Sequence, residues 1–238
     1  MYPIFKRIFD FMVASILIIL LAPFFLPIAV VLLLTGEHYI FYLQERVGYK
    51  NKSFKIWKFA TMLKDSPKMQ GGLITSKNDY RLTPIGGFLR KTKINELPQL
   101  INILKGEMSF VGPRPVMPKS FSQYPKEVQH EIYQVLPGIT GLGSIVFRDE
   151  EDLIEQAKHA GIDPWAYYCD VIYPYKGELE RWYRTYQSFW LDLKILVITA
   201  LVVAMPARNF LDWLGDYPKK EAGIGSTIQN LGVSKQEG

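Results

Sequence analysis

The longest pattern in the chain is an uncharged one. No Asp, Glu, Lys or Arg occurs from Phe11 to Gly36, and at about 1.5 Å per residue a helix of that length can cross the hydrocarbon core of a bilayer. Pro23 and Pro27 interrupt it near its middle. Lys6 and Arg7 precede the run and Arg46, Lys50, Lys52, Lys55 and Lys58 follow it, so the preference of basic flanks for the cytoplasm applies at both ends. A straight span cannot satisfy both, whereas a helix broken at Ala22-Pro23 and returning to its face of entry can. A single tilted, proline-kinked span is the alternative, because membrane helices tolerate proline. A cleaved signal peptide fits less well, since no small-residue cleavage site follows a short apolar core.

Beyond this segment the pattern shortens. Phe41 to Leu63 alternates apolar or aromatic with basic residues, as in Ser53-Phe54-Lys55-Ile56-Trp57-Lys58-Phe59, and predicts an amphipathic strand with one packed and one cationic face. Gly71 to Asn78 reads as a loop. Pro98 suits the first turn of a helix, and Leu97, Leu100, Ile101 and Leu104 then recur on one apolar face. Asn95 and Glu96 stand at the start of that helix, where free N–H groups and the dipole favour anions. The ordinary reading makes Asn95 an N-cap and Glu96 a first-turn acid.

Met108 to Val111 predicts a short strand running into Gly112-Pro113-Arg114-Pro115. Each proline ring fixes its own φ and Pro115 holds Arg114 extended, so the guanidinium is presented with little backbone entropy left to lose. Its planar fork suits a bidentate phosphate contact, although a proline-rich turn with a solvated arginine has the same composition. Asp149 to Asp152 predict a solvated helix start. Trp165 to Trp190 mixes aromatics with lysine and arginine, as side chains at a head-group boundary do. Ile195 to Ala207 is apolar but short for a span and reads as an interfacial or packed helix ending near Pro206. From Lys219 onward the polar, glycine- and serine-containing chain reads as a poorly ordered tail or a partner contact.

Composition narrows the class. The 238 residues, 48% of them hydrophobic, suffice for one core plus membrane contacts. A formal charge of +5 and a pI near 9.1 suit anionic lipid and phosphorylated ligands. A nucleic-acid binder can share that balance, but no nucleic-acid motif is present and none is expected as a partner. A single cysteine, Cys169, precludes an internal disulfide. His38, His130 and His159 lack zinc-like spacing. Pro137 to Gly143 is neither a Walker loop nor a dinucleotide fingerprint, and by itself is a turn.

Taken in order, Lys6-Arg7 with Asp10, Gln44 with Arg46 and Gly48, Lys58-Phe59 with Thr61-Met62, Leu82-Thr83-Pro84 with Gly86, the block from Phe88 to Pro115, and Pro137-Gly138-Ile139-Thr140-Gly141 resemble the bacterial sugar transferases, the monotopic polyprenyl-phosphate phosphoglycosyl transferases. The resemblance covers roughly residues 6–199. It implies a mixed α/β, membrane-associated monotopic fold: an N-terminal re-entrant helical hairpin over residues 1–40, a cytoplasmic catalytic domain with amphipathic interfacial helices and a small sheet over 41–207, and a C-terminal tail over 208–238. It also implies transfer of a sugar 1-phosphate from a UDP-sugar to undecaprenyl phosphate, with Mg2+ and release of UMP, at the cytoplasmic face of the bacterial inner membrane. A homo-oligomer is left open, as is the sugar.

The resemblance assigns Asn95 and Glu96 to the catalytic position, with Glu96 as the metal ligand, Lys58, Arg90, Arg114 and Arg148 to substrate phosphate, and Asp192 to a further active-site acid. For each cationic side chain a solvated surface role is the plain alternative, and for Asp192 a surface salt bridge with a lysine. The segment from Ser144 to Phe147, ahead of Arg148, departs from the family's usual polar sequence. One departure bears on chemistry. The family's acidic pair is Asp-Glu, and this chain has Asn95-Glu96. A neutral amide supplies no carboxylate nucleophile. Three readings follow: Glu96 or the lipid phosphate itself attacks, the substitution traps substrate, or the chain is a catalytically silent membrane scaffold that keeps the pocket.

Overall fold

A computed structural model describes residues 2–69, 79–205 and 210–219. The expected loop at 71–78, the Pro206 helix stop and the tail beyond Lys219 lie outside the described residues. Within them the protein is mixed and helix-rich with two small sheets. It divides into two compact units, residues 1–48 with 52–110 and residues 49–51 with 111–238.

The first unit opens with α1 (Tyr2–Leu34), a continuous helix that passes through Pro23 and Pro27. Most of its side chains are exposed although they are apolar; Leu20, Phe24, Leu26 and Leu34 are each more than 60% exposed. It is the one described helix long and apolar enough to cross a membrane. Both of its ends are tied to the rest of the unit. Near the start, the Arg7 guanidinium donates to the carbonyls of Ile103 (2.6 Å) and Leu104 (3.0 Å), which satisfies acceptors that a helix C-terminus leaves open. The fully buried Asp10 accepts the Phe110 N–H at 3.2 Å. Near its end, Leu32 joins Phe59 and Leu89 in a buried cluster with Phe25 and Ile28 against it.

The alternating segment forms a hairpin, β1 (Phe41–Val47) antiparallel to β2 (Ser53–Phe59), with Phe41 opposite Phe59 and Tyr42 opposite Lys58. A buried ion pair, Asp79 with Arg81, precedes α2 (Gly86–Lys91). The helix expected at Pro98 is a 3₁₀ segment, Ile94–Gln99, continued by α3 (Leu100–Lys105). Its buried face also differs from the sequence expectation. Leu100, Asn102 and Ile103 are buried, while Leu97, Ile101 and Leu104 are half-buried. A polar residue displaces the apolar stripe because Asn102 finds partners for its whole amide.

The chain passes from the first unit to the second within β3 (Ser109–Val111), the short strand expected ahead of the Arg114 turn. The second unit contains α4 (Pro118–Phe121), α5 (Lys126–Glu131), β4 (Gly138–Thr140), α6 (Leu142–Val146), α7 (Glu150–His159), α8 (Pro164–Tyr167), a π-helical turn over Tyr168–Ile172, α9 (Tyr173–Tyr186) and α10 (Phe189–Ala204). β4 pairs with β3, and the pairing continues past the strands, with the Gly112 N–H donating to Thr140 O and the Gly138 N–H to Pro113 O, each at 3.0 Å. The aromatic stretch divides: Tyr167, Tyr173, Tyr175 and Tyr183 are buried core, Trp165, Tyr168, Trp182 and Phe189 are half-buried, and Tyr186 and Trp190 are exposed. In α10, Leu191, Ile195, Ile198 and Val202 face inward, whereas Trp190, Val197 and Val203 are exposed.

Candidate active site

In the first unit the hairpin and the 3₁₀ segment bring two candidates together. Lys58 Nζ lies 3.2 Å from Glu96 Oε1, across 38 residues of sequence, and both side chains are largely shielded. Asn102 sets that approach. Its Oδ1 accepts the Trp57 N–H at 3.0 Å, and its Nδ2 donates to Lys55 O at 2.8 Å and to Glu107 Oε2 at 2.7 Å. β2 is thereby held at Lys55 and Trp57, immediately before Lys58. Sequence periodicity had no way to single out Asn102, because its value lies in the strand it meets.

Asn95 is not an N-cap. Lys93 takes that place in the left-handed region at φ 59, with no side-chain cap, and Asn95 is buried inside the 3₁₀ turn, 5% exposed. Its Oδ1 has no hydrogen-bond partner among the described residues. An orphaned buried acceptor costs about 1–3 kcal/mol, so this oxygen is a place for a donor or a cation. Arg90 belongs to α2, which packs on the 3₁₀ segment; its guanidinium makes no ion pair or hydrogen bond among the described residues.

Among the described residues no three Asp, Glu, His or Cys side chains converge as a metal cage. A magnesium that arrives on a diphosphate needs only one or two carboxylates and keeps water and phosphate oxygens for the rest. Glu96, with Asn95 Oδ1 beside it in sequence, offers oxygen donors of the right kind.

The second unit holds Arg114, Arg148 and Asp192. Arg114 sits in the expected stiff turn, held by Tyr133 Oη donating to Arg114 O at 2.7 Å and by Arg114 Nη1 donating to Ile139 O at 3.3 Å. The turns at Gly112 and Gly138–Gly141 pack backbone to backbone: a Cβ on Gly141 would lie 2.2 Å from Gly112 O. The glycines therefore do more than turn the chain; they let two loops touch. Arg148 is exposed and forks onto neighbouring Asp149 at 2.9 and 2.5 Å. Asp192 does not lie on the helix surface. It is buried, and the Tyr183 hydroxyl donates to it at 2.7 Å.

Four polar residues here escaped the sequence reading. Glu150, expected to be solvated, is half-buried and paired: Tyr168 and Lys176 both bond its carboxylate. Burial pulls the Glu150 carboxyl upward, but Lys176 and the Tyr168 hydroxyl outweigh it and hold the group below the usual range. Burial and Glu150 together push the Tyr168 phenol far above its ordinary value. Glu180 is fully enclosed, and burial pushes its carboxyl up to about 8. The signal that could have found Lys176 and Glu180 is their i, i+4 spacing, which puts both on one face of α9.

A shielded lysine–carboxylate pair beside a buried amide, in a unit that opens with a long exposed apolar helix, suits an enzyme that handles phosphate near a membrane, and comparison with known proteins names the class. The family model for bacterial sugar transferases matches residues 1–206. The UDP-glucose:undecaprenyl-phosphate glucose-1-phosphate transferase of Klebsiella pneumoniae is 37% identical over 201 residues, covering 82% of this chain and 39% of its own. The undecaprenyl-phosphate glucose phosphotransferase of Komagataeibacter xylinus is 34% identical over 206 residues, covering 82% and 35%. The uncharacterized sugar transferase EpsL of Bacillus subtilis (strain 168) is 38% identical over 197 residues, covering 82% and 85%. The chain belongs to the bacterial sugar transferases, and it spans less than half the length of the first two relatives.

Proposed function

We propose that this protein transfers a sugar 1-phosphate from a UDP-sugar to undecaprenyl phosphate at the cytoplasmic face of the bacterial inner membrane, releasing UMP and starting a lipid-linked surface glycan. The observation that carries the reading is the shielded Lys58–Glu96 pair in sequence contact with the buried, unpartnered Asn95 Oδ1, in a chain of this family. Lys58 neutralises phosphate charge and Glu96 supplies the carboxylate. Arg90 in the first unit, and Arg114 and Arg148 in the second, are each candidates for a substrate phosphate, whose developing charge a cationic group stabilises. Asp192, buried and accepting from the Tyr183 hydroxyl, is the candidate further acid. Glu96, with Asn95 Oδ1, would hold magnesium, which when bound screens the diphosphate.

With an amide at position 95, transfer follows one of two routes. In the first, a Glu96 oxygen bonds the sugar-bearing phosphorus while its bond to the UMP oxygen breaks; the lipid phosphate oxygen then bonds that phosphorus and frees Glu96. In the second, the lipid phosphate oxygen displaces UMP directly. Intact-mass measurement after incubation with a UDP-sugar alone separates them, since only the first leaves a phosphosugar on the protein.

The membrane part of the reading is a re-entrant α1. Its 33 residues would measure about 50 Å if straight, against about 30 Å of hydrocarbon. Arg7 and Asp10 at one end and Phe25, Ile28 and Leu32 at the other meet the same unit, which favours a helix that enters and leaves one leaflet. Pro23 and Pro27 are where such a helix bends, because each lacks an N–H and crowds the carbonyl four residues back. Residues 41–207 then form the cytoplasmic catalytic part, with the exposed apolar side of α10 at the interface.

The test is UMP release by the detergent-purified protein from a panel of UDP-sugars, with UDP-glucose first, with and without undecaprenyl phosphate and Mg2+, beside Asn95→Asp. Turnover that needs lipid and Mg2+ supports the transferase. Silence in both folded proteins overturns it and leaves the scaffold.

A further inference from the structure

Glu180 has no part in the reaction as described, yet its surroundings are built around it. It lies on α9 and is 5% exposed. Its Oε1 accepts the main-chain N–H of Arg114 at 3.4 Å. From the other side the glycine turn closes on the same carboxyl: a Cβ on Gly143 would lie 2.5 Å from Glu180 Oε1, and one on Gly141 would lie 3.9 Å from Oε2. Any side chain at 143 would displace the acid. Oε2 has no hydrogen-bond partner among the described residues. An apolar side chain of similar length would fill this space without the desolvation penalty of a buried carboxyl, but it would leave the Arg114 N–H without this acceptor.

What Glu180 holds is the turn that presents Arg114. Tyr133 grips that turn through Arg114 O and also accepts the Val116 N–H at 3.1 Å, and β4 meets it through Pro113 O and Ile139 O. From α9 two side chains reach this stretch: the Tyr183 hydroxyl donates to Val111 O at 3.3 Å, ahead of the turn, and Glu180 meets Arg114 itself. We infer that Glu180 is a positioning residue for Arg114, fastening α9 to the Gly112–Pro115 and Gly141–Gly143 turns together and thereby fixing the direction in which the guanidinium meets phosphate. The identity of that phosphate rests on the transferase reading; the fastening does not. Burial keeps the carboxyl largely protonated at neutral pH, so a glutamine, with the same length and the same acceptor, should serve in its place.

The test compares the full-length protein in detergent with E180A, E180Q, R114A and the E180A/R114A double variant; E180M, which keeps the length without the acceptor, replaces E180A if that variant does not fold. Hydrogen exchange of peptides covering 111–116 and 138–146 needs no substrate. E180A should speed exchange in both by about tenfold or more, with E180Q close to the parent; unchanged exchange in E180A overturns the fastening. Transfer from UDP-glucose then reads the function. E180A should lose about tenfold in kcat/KM, E180Q should restore it, and the double variant should lose no more than R114A alone, because the two act through one group. Additive losses would mean a general packing role and overturn the positioning. If the parent transfers no sugar, UDP affinity by calorimetry takes the place of kcat/KM in the same cycle. Coupled losses of affinity would sustain the positioning while the transferase reading fails, and absence of UDP binding would overturn both.

Discussion

At the scale of single residues, the site turns on which charges are shielded. Lys58 and Glu96 form a largely shielded ion pair, and removing one member of such a pair costs more than removing an exposed charge. Lys58→Met and Glu96→Gln should each lower sugar-phosphate transfer by about 10²-fold or more, the usual cost of removing a group that stabilises transition-state charge, with UMP release as the readout. Glu180 gives a prediction of a different kind. Folded, its carboxyl keeps a proton up to about 8; its ordinary value is 4.5. Between those values the native state binds the extra proton, so the contribution is full below about 4.5 and is lost as pH rises through about 8. The thermal midpoint should therefore fall from pH 5 to pH 9, and the slope should flatten in E180Q; equal slopes would show that Glu180 does not carry the dependence.

Elements meet through a few buried polar clamps, and these set the site's geometry. Asn102 is fully buried with three hydrogen bonds to two other segments. Asn102→Ala should destabilise the protein by roughly 2–4 kcal/mol through the groups left unpaired, and transfer should fall even at temperatures where the fold survives, because β2 no longer holds Lys58 in place. Thermal shift beside an activity assay checks both. Leu89, with no exposed surface, is the apolar counterpart; its truncation to alanine should cost about 2–5 kcal/mol. Pro23 and Pro27 act at the same scale. If α1 re-enters the membrane as proposed, changing both to alanine restores two backbone donors and removes the crowding at the bend, which should straighten it. Cysteine labelling from the outer face of spheroplasts, at position 2 in a C169S background, should be blocked in the parent and open in the straightened variant.

The whole molecule shows the physical division most plainly. A helix with this much exposed apolar surface should keep the protein in the membrane fraction through carbonate washing, and release by carbonate would contradict an inserted α1. Several features were legible from the chain alone because they depend on neighbours in sequence. The apolar run of α1 needs only composition, the β3 strand and the Gly112–Pro115 turn need only local φ restriction, and the family follows from ordered motifs. The Lys58–Glu96 pairing, the buried amides of Asn95 and Asn102, the pairing of Glu150 and the burial of Glu180 and Asp192 were not legible. Each depends on a partner 9 to 66 residues away or on surroundings assembled from several segments. Hydrophobic period and charge pattern describe which face of an element turns inward, and they misplaced the stripe of α3 and the solvation of Glu150 because a polar side chain can be buried whenever its hydrogen bonds are met. The sequence by itself determined the family, the membrane-length helix and the residue types available for phosphate chemistry; the tertiary structure alone decided which of those residues meet, which are buried and which charges survive, since burial and pairing are properties of contacts distant along the chain.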